Sequence, residues 1–405
     1  MQVFEKDFLI KLSRLLTVTI SLYLLGDITR KLSILFELEF TRYTAVFKGV
    51  SFLLLTVFFI RHYNQYLKSS KIRYIGVLTV ILICIFIFNQ LVFKTYVYEN
   101  YNLLDNFLYL VRYLSWPILL IVFYPFFVTN FLKNSLHFEF YSSFFFINCL
   151  IIVLGVLFEI KLFGTYNSRF GSMGIFNTSN QASFIFILYI TYFYTCLKNY
   201  KSYFLILGII LISFLVGTKK IYLFSWLLFL YFIYEKRIYT KKTFYLILFS
   251  LLSLFYIFFD RIKELLFSVF DVIYSVFEKN GLITAIFSLR DQLLINSFDL
   301  NYRGWSFLNY FFGGPFFPIN SVELEWIDLY YFFGICGIPY FVNLFNLYLK
   351  DISFKKFKIL FLLILTVSFF SGGFILEANT SLVFFIIICK IKLNLFNNNN
   401  NFEKL

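Results

Sequence analysis

Charge is scarce in this sequence. Only 14% of its 405 residues are Asp, Glu, Lys or Arg, where a soluble domain carries about 25%. With 60% hydrophobic residues and a mean hydropathy of +0.79, that shortage excludes an ordinary soluble domain. Histidine is scarcer still, with His62 and His137 the only two. The five cysteines (Cys84, Cys149, Cys196, Cys336 and Cys389) each lie within an apolar run, and no pair falls at zinc spacing. Neither a disulfide framework nor a metal site is expected. A phosphate-binding loop of the Gly-x4-Gly-Lys type is missing, so nothing points to an ATPase domain. There is no internal repeat, which counts against transporters built from two related halves. The first 25 residues carry Lys11 and Arg14 and lack a small-residue cleavage motif. They read as a first membrane helix, not a removed signal peptide.

What is abundant is Phe, at 62 residues, and Tyr, at 31, with an Asn run from Asn397 to Asn401. That mixture reflects codons rich in A and T, so a single Phe carries little weight. A spanning helix needs about 20 mainly apolar residues. Twelve stretches qualify: 8–25, 43–60, 74–93, 106–130, 138–163, 180–197, 202–217, 221–235, 242–259, 326–349, 356–372 and 373–392. The expected fold is an all-α polytopic membrane protein of about 12 transmembrane helices (range 10–12). Residues 1–393 form one membrane domain and 394–405 an Asn-rich cytoplasmic tail.

Orientation follows from the Lys and Arg of the connections. With the N-terminus in the cytoplasm, the inner connections include 61–73, 235–242 and 350–358 and are strongly basic, whereas the outer ones are slightly acidic. Both termini are then cytoplasmic, and the basic balance reflects topology and inner-leaflet contact, not nucleic-acid binding. One outer connection, 260–325, is far longer than the rest, and a long loop is uncommon unless functional. Its RIKELLFSVFDVIYSVF (261–277) has apolar residues at helical spacing and is expected to lie as an amphipathic helix on the outer surface. A second short helix is expected over 287–298, then a turn at 301–305 and the breaker FFGGPFFP at 311–318.

Where this loop re-enters the membrane, VELEWIDLYYFFGICGI (322–338) sets Glu323, Glu325 and Asp328 at the mouth of an apolar run. Acids at a helix start are stabilised by the macrodipole or act as caps. They also suit a general base or a sugar-hydroxyl clamp, and Glu325 and Asp328 fall about 60° apart on one helix face. Outer cations stand against the positive-inside bias: Arg169, Lys219, Lys220, Arg290 and Arg303, with Lys48 and Arg112 inside the second and fourth spans near their outer ends. Lys48 and Arg112 either snorkel to the headgroups or, with the others, meet an anion such as a lipid pyrophosphate. The glycines Gly334 and Gly337 are expected to allow close helix packing.

Three pieces, in this order and topology, resemble the bacterial O-antigen polymerase (Wzy-type) family over roughly 165–340. They are RFGSMGIFNTSNQASF (169–184), LVGTKKIYLF (215–224), and SLR (288–290) followed by FFGGP (311–315) and the acids and glycines of 323–337. The resemblance implies a glycosyltransferase of the bacterial cytoplasmic (inner) membrane. It would move a growing glycan from undecaprenyl pyrophosphate to the terminal sugar of another lipid-linked repeat unit at the outer face. Neither metal nor nucleotide sugar would be needed. The product would be lipopolysaccharide O-antigen, capsule or another glycan, with a flippase and a chain-length regulator as partners. By matching position, Arg169, Lys219 and Arg290 would grip pyrophosphate, and the acids at 323–328 would activate the acceptor hydroxyl. The related O-antigen ligases carry a histidine near the position of Glu323, and this chain has none there. An O-antigen ligase-like transferase and a polysaccharide flippase remain the alternatives. So does a polyprenyl-phosphate-sugar glycosyltransferase, for which Glu37 and Glu39 would supply the acids of a first outer loop.

Overall fold

The computed structural model describes residues 4–38, 42–92, 103–129, 131, 136–165, 170–196, 200–257, 271–287, 289–314, 321–352 and 354–402. Among them there is no strand, only a single bridge between Gly164 and Ser172. The longer helices are α1 (Lys6–Leu35), α2 (Tyr43–Arg61), α3 (Ser70–Val92), α4 (Leu103–Thr129), α5 (Leu136–Leu157), α6 (Ser179–Thr195), α7 (Tyr200–Phe214) and α8 (Lys219–Glu235). They continue with α9 (Lys242–Ile257), α10 (Asp271–Phe287), α11 (Arg290–Gly304), α12 (Phe307–Phe312), α13 (Glu325–Phe333), α14 (Gly337–Leu349), α15 (Lys355–Phe370) and α16 (Ala378–Phe402).

Five of the described helices, α1 to α5, are long and apolar enough to cross a membrane, and α13 with α14 makes a sixth if that bent pair is one span. Their outward faces carry Leu53, Val57 and Ile60 of α2, Val77 and Leu91 of α3, and Leu150 and Leu157 of α5, all exposed. Apolar surface on this scale needs a lipid environment. At the centre stands α6, buried without interruption from Gln181 to Tyr192. A helix that is apolar all round belongs inside a bundle, and α7, α8, α15 and α16 surround this one. A second buried helix, α4, packs against α2, α3 and α16.

Three expectations are corrected. The first helix continues to Leu35, well past the expected end at 25; there Asp27 accepts amide N–H bonds from Asn177, Gln181 and Asn379, and Lys31 donates to the Leu162 carbonyl at 2.9 Å. The tenth span, expected as one helix over 326–349, breaks between Phe333 and Gly337 with a bend of 119°. Gly334 is the cause. Its φ is +66°, and a Cβ there would lie 2.3 Å from the Phe311 backbone. That glycine therefore serves a helix break laid against α12, not the packing of a straight helix. Third, the turn expected at 301–305 is largely absorbed by α11, which runs to Gly304. Of the expected amphipathic helix over 261–277, residues 261–270 lie outside the described residues, and α10 takes up the chain from Asp271 with a kink at Gly281.

The polar side chains separate into two ends. At one, Lys71 pairs with Asp351 at 2.8 Å, Lys356 with Glu235 at 3.1 Å, and Tyr194 donates to Glu235 at 2.6 Å. Gln65 and Lys68 close on Glu5 there, and their hydrogen bonds hold its carboxyl below the usual range. At the other end lie Asp27, Thr178 and Gly372. Single helices carry members of both sets: Glu5 precedes α1 and Asp27 sits near its far end, about 30 Å away at 1.5 Å per residue. Thr178 caps the start of α6 while Tyr194 lies in its last turn.

Candidate functional site

The second end is organised by a buried, non-helical stretch, SGGFILE (371–377), between α15 and α16. Irregular backbone inside a helical membrane bundle is tolerated only where its polar groups are satisfied. Glu325, the first residue of α13, supplies most of that satisfaction. Its buried carboxylate accepts the N–H groups of Gly373, Phe374 (2.8 Å) and Ile375 (3.0 Å). The Gly372 N–H donates to the Glu323 carbonyl at 2.7 Å. The Gly372 carbonyl receives the Lys220 ammonium at 3.0 Å, and the Phe374 carbonyl receives Trp116 Nε1 at 3.2 Å.

The three acids expected to do chemistry therefore stand in different surroundings. Glu325 pins the buried loop. Asp328, equally buried, accepts the Ser321 hydroxyl at 2.9 Å and the Val322 N–H at 2.8 Å, fastening the approach to its own helix. Only Glu323 faces outward, with its side chain 64% exposed. Its φ is +57°, and its carboxylate lies 2.9 Å from Arg290.

Of the expected cations, Lys220 touches this loop and Arg290 meets Glu323, whose carbonyl accepts the Gly372 N–H. Lys219 and Lys220 open α8, and Arg290 opens α11. Lys219 donates to the Ala285 carbonyl, just upstream of α11. Lys220 is buried, donates to Asn180 at 2.5 Å, and stands 4.6 Å from the centre of the Phe184 ring. Arg112 is exposed, its guanidinium 5.1 Å from the Tyr109 ring centre. Arg303 falls in the last turn of α11. Arg169 lies outside the described residues.

Two groups escaped the reading of the sequence. Asp27 is buried and accepts amide N–H bonds from Asn177 (2.5 Å), Gln181 (2.6 Å) and Asn379 (2.6 Å), which ties α1 to α6 and α16. Glu377 accepts the Thr178 hydroxyl at 3.0 Å and faces Lys48 at 3.7 Å. The available signals were an acid just past the first apolar run and a Gly-Gly-x3-Glu interruption in the last one. Among the described residues, no group of three or more His, Cys, Asp or Glu is arranged to hold a metal ion.

No protein-family model, no curated protein and no solved structure matches this chain. Its chemistry must be argued from the residues alone. A helix N-terminus already carries partial positive charge, so cations there are disfavoured and anions favoured. Two adjacent N-termini, those of α8 and α11, carry three cations and one acid, Asp291, between them. Such an arrangement suits a polyanion, with one exposed carboxylate at its edge.

Proposed function

We propose that this chain is a membrane glycosyltransferase of the O-antigen polymerase type. It would join lipid-linked oligosaccharide units at the outer face of a bacterial cytoplasmic membrane. The observation that carries the reading is the set of cations at the N-termini of α8 and α11, beside the exposed Glu323. Their combined field favours a diphosphate over any neutral ligand, and Arg290 offers the planar donor fork that phosphate oxygens accept. In this reading about twelve spans cross the membrane, both termini are cytoplasmic, and the end bearing Asp27, Glu323 and the 371–377 loop faces outward. The 260–325 connection lies over it.

The step balances without a cofactor. The acceptor sugar's hydroxyl oxygen attacks the anomeric carbon of the donor glycan. The bond from that carbon to the diphosphate oxygen breaks, and its electron pair leaves with the undecaprenyl pyrophosphate. The hydroxyl proton passes to the Glu323 carboxylate. Arg290 and the α8 terminus stabilise the charge that grows on the departing diphosphate. Arg169 and Arg303 belong to this reading as further diphosphate ligands. Glu325 and Asp328 support it from behind, by fixing the loop and the helix start on which Glu323 is mounted.

The test is chain formation by membranes containing the protein, supplied with lipid-linked oligosaccharide from the source organism and read as a ladder on a gel. Wild type should give the ladder and Arg290→Ala only single units. Failure of the wild-type protein to lengthen any lipid-linked unit overturns the reading.

A further inference from the structure

We propose that Lys48 and Glu377 form a hydroxyl-binding couple that grips the acceptor sugar; the proposal rests on the glycan-transfer reading above. Lys48 Nζ and Glu377 Oε2 stand 3.7 Å apart, the longest of the described ion pairs. Lys68–Glu5, Lys71–Asp351 and Lys356–Glu235 close to 3.2, 2.8 and 3.1 Å. At 3.7 Å the two charged groups attract but make no hydrogen bond.

The gap has the dimensions of a guest oxygen. An oxygen about 2.8 Å from both atoms closes a triangle on the 3.7 Å base, within the bending that hydrogen bonds tolerate. A hydroxyl fits that position chemically, since it donates to the carboxylate while accepting from the ammonium. A phosphate does not fit, because its oxygens would meet the like charge of Glu377. Lys48 is thereby set apart from Arg290 and Lys219, which belong to the diphosphate.

The couple is held from several sides. Glu377 Oε1 takes the Thr178 hydroxyl. Asp27 fixes Asn177 and Gln181, which flank Thr178, and Asn379, two residues beyond Glu377. Asn177 also donates to Thr44, one helical turn before Lys48, and Thr44 donates to the Gly26 carbonyl. Lys48 keeps 20% of its side chain exposed and Glu377 8%, so the lysine is the more accessible partner. Glu377 ends the 371–377 loop whose Gly372 N–H donates to the Glu323 carbonyl at 2.7 Å, which joins the couple to the proposed reaction centre.

The experiment measures chain formation by the full-length protein in membranes against the concentration of lipid-linked oligosaccharide extracted from the source organism. Glu377→Gln and Lys48→Met should each raise the half-maximal concentration at least about tenfold, as expected when a hydrogen bond to a charged group is lost. The maximal rate should change far less. The double variant should be no better than the worse single one. Recovery of wild-type behaviour in the double variant would show that the two residues only neutralise each other and overturns the couple. So would unchanged concentration dependence in both single variants. Where a removal lowers protein amount, Glu377→Asp, which withdraws the carboxylate by one methylene, carries the same expected shift. If wild-type protein makes no chains, the glycan-transfer reading falls and the couple with it; chains from wild type and from both variants alike sink the couple alone.

Discussion

Arg290 and Glu323, 33 positions apart in the chain, meet with a guanidinium nitrogen 2.9 Å from a carboxylate oxygen. Both partners are mounted on backbone in the left-handed region: Leu289, just before Arg290, has φ 69° and Glu323 itself φ 57°. Such residues cost roughly 1–3 kcal/mol each and persist where surrounding contacts impose them. Arg290 is also the first residue of its helix, against the macrodipole. A pair assembled at this cost, on the exposed rim of a buried polar network, is poorly explained by stability. Under the proposed function, the cost is met by a ligand that needs both a cation and a base.

Arg290→Ala and Glu323→Gln should therefore separate function from folding. The pair is open to solvent on its Glu323 side, where an exposed ion pair contributes only about 0–1 kcal/mol, so membrane levels and thermal unfolding of Glu323→Gln in detergent should match wild type, while Arg290→Ala, at a side chain only 19% exposed, is compared at equal amounts of folded protein. Loss of a general base costs about 10²–10⁴-fold in rate, so Glu323→Gln should leave single repeat units on the gel. Normal ladders from both variants at normal protein levels would exclude this pair from the chemistry.

Glu325→Ala, two residues along, should do the reverse. It orphans three buried N–H groups, those of Gly373, Phe374 and Ile375. Each buried unsatisfied group costs about 1–3 kcal/mol. The expected outcome is loss of folded protein in the membrane, seen as a lowered unfolding temperature in detergent. A stable but inactive Glu325→Ala protein would reassign that carboxylate to catalysis.

The helical, apolar character of the chain was legible because composition and run length decide it. Glu323, Glu325 and Asp328 were also legible as a group, since acids are conspicuous at the edge of the run that follows. Their division of labour was not. Nothing local distinguishes Glu323 from Glu325; the difference lies in a loop some 50 residues later that donates its N–H groups to one and not to the other. The break at Gly334 is not legible, because a glycine in an apolar run has the same signature whether it admits a neighbouring helix or turns the chain. Asp27 and Glu377 are not legible because their partners are amides and a hydroxyl from distant helices, which no spacing rule joins. Lys220 drew notice as a cation, but its commitment to Asn180 and the Gly372 carbonyl depends on the tertiary fold.

The two polar ends give a topological test. Lys71 pairs with Asp351 at the end opposite Asp27 and Glu323. Reporter fusions at Lys71 and Lys241 should report cytoplasm, and fusions within 280–320 should report the outer side. A cytoplasmic signal from 280–320 would put the candidate site on the wrong face for lipid-linked sugars that have already been flipped.

Glu323, Glu325 and Lys220 converge on the 371–377 loop. Gly373 has φ +97°, and a Cβ there would lie 2.6 Å from Asn180 Nδ2. Asn180 in turn holds the Lys220 ammonium, which holds the Gly372 carbonyl. Gly373→Ala should therefore impose backbone strain of about 1–3 kcal/mol and push Asn180 from Lys220, loosening the base of the site. Gly208, inside α7, is the control: a Cβ there meets nothing within 4 Å. Gly208→Ala should be neutral or stabilising by roughly 0.5–1 kcal/mol, the ordinary helix preference for alanine. Thermal unfolding in detergent reads both. Gly373→Ala should melt lower and give shortened chains, and Gly208→Ala should do neither. Equal melting of Gly373→Ala and wild type would mean that the 371–377 loop yields easily, and that the site does not depend on its being rigid.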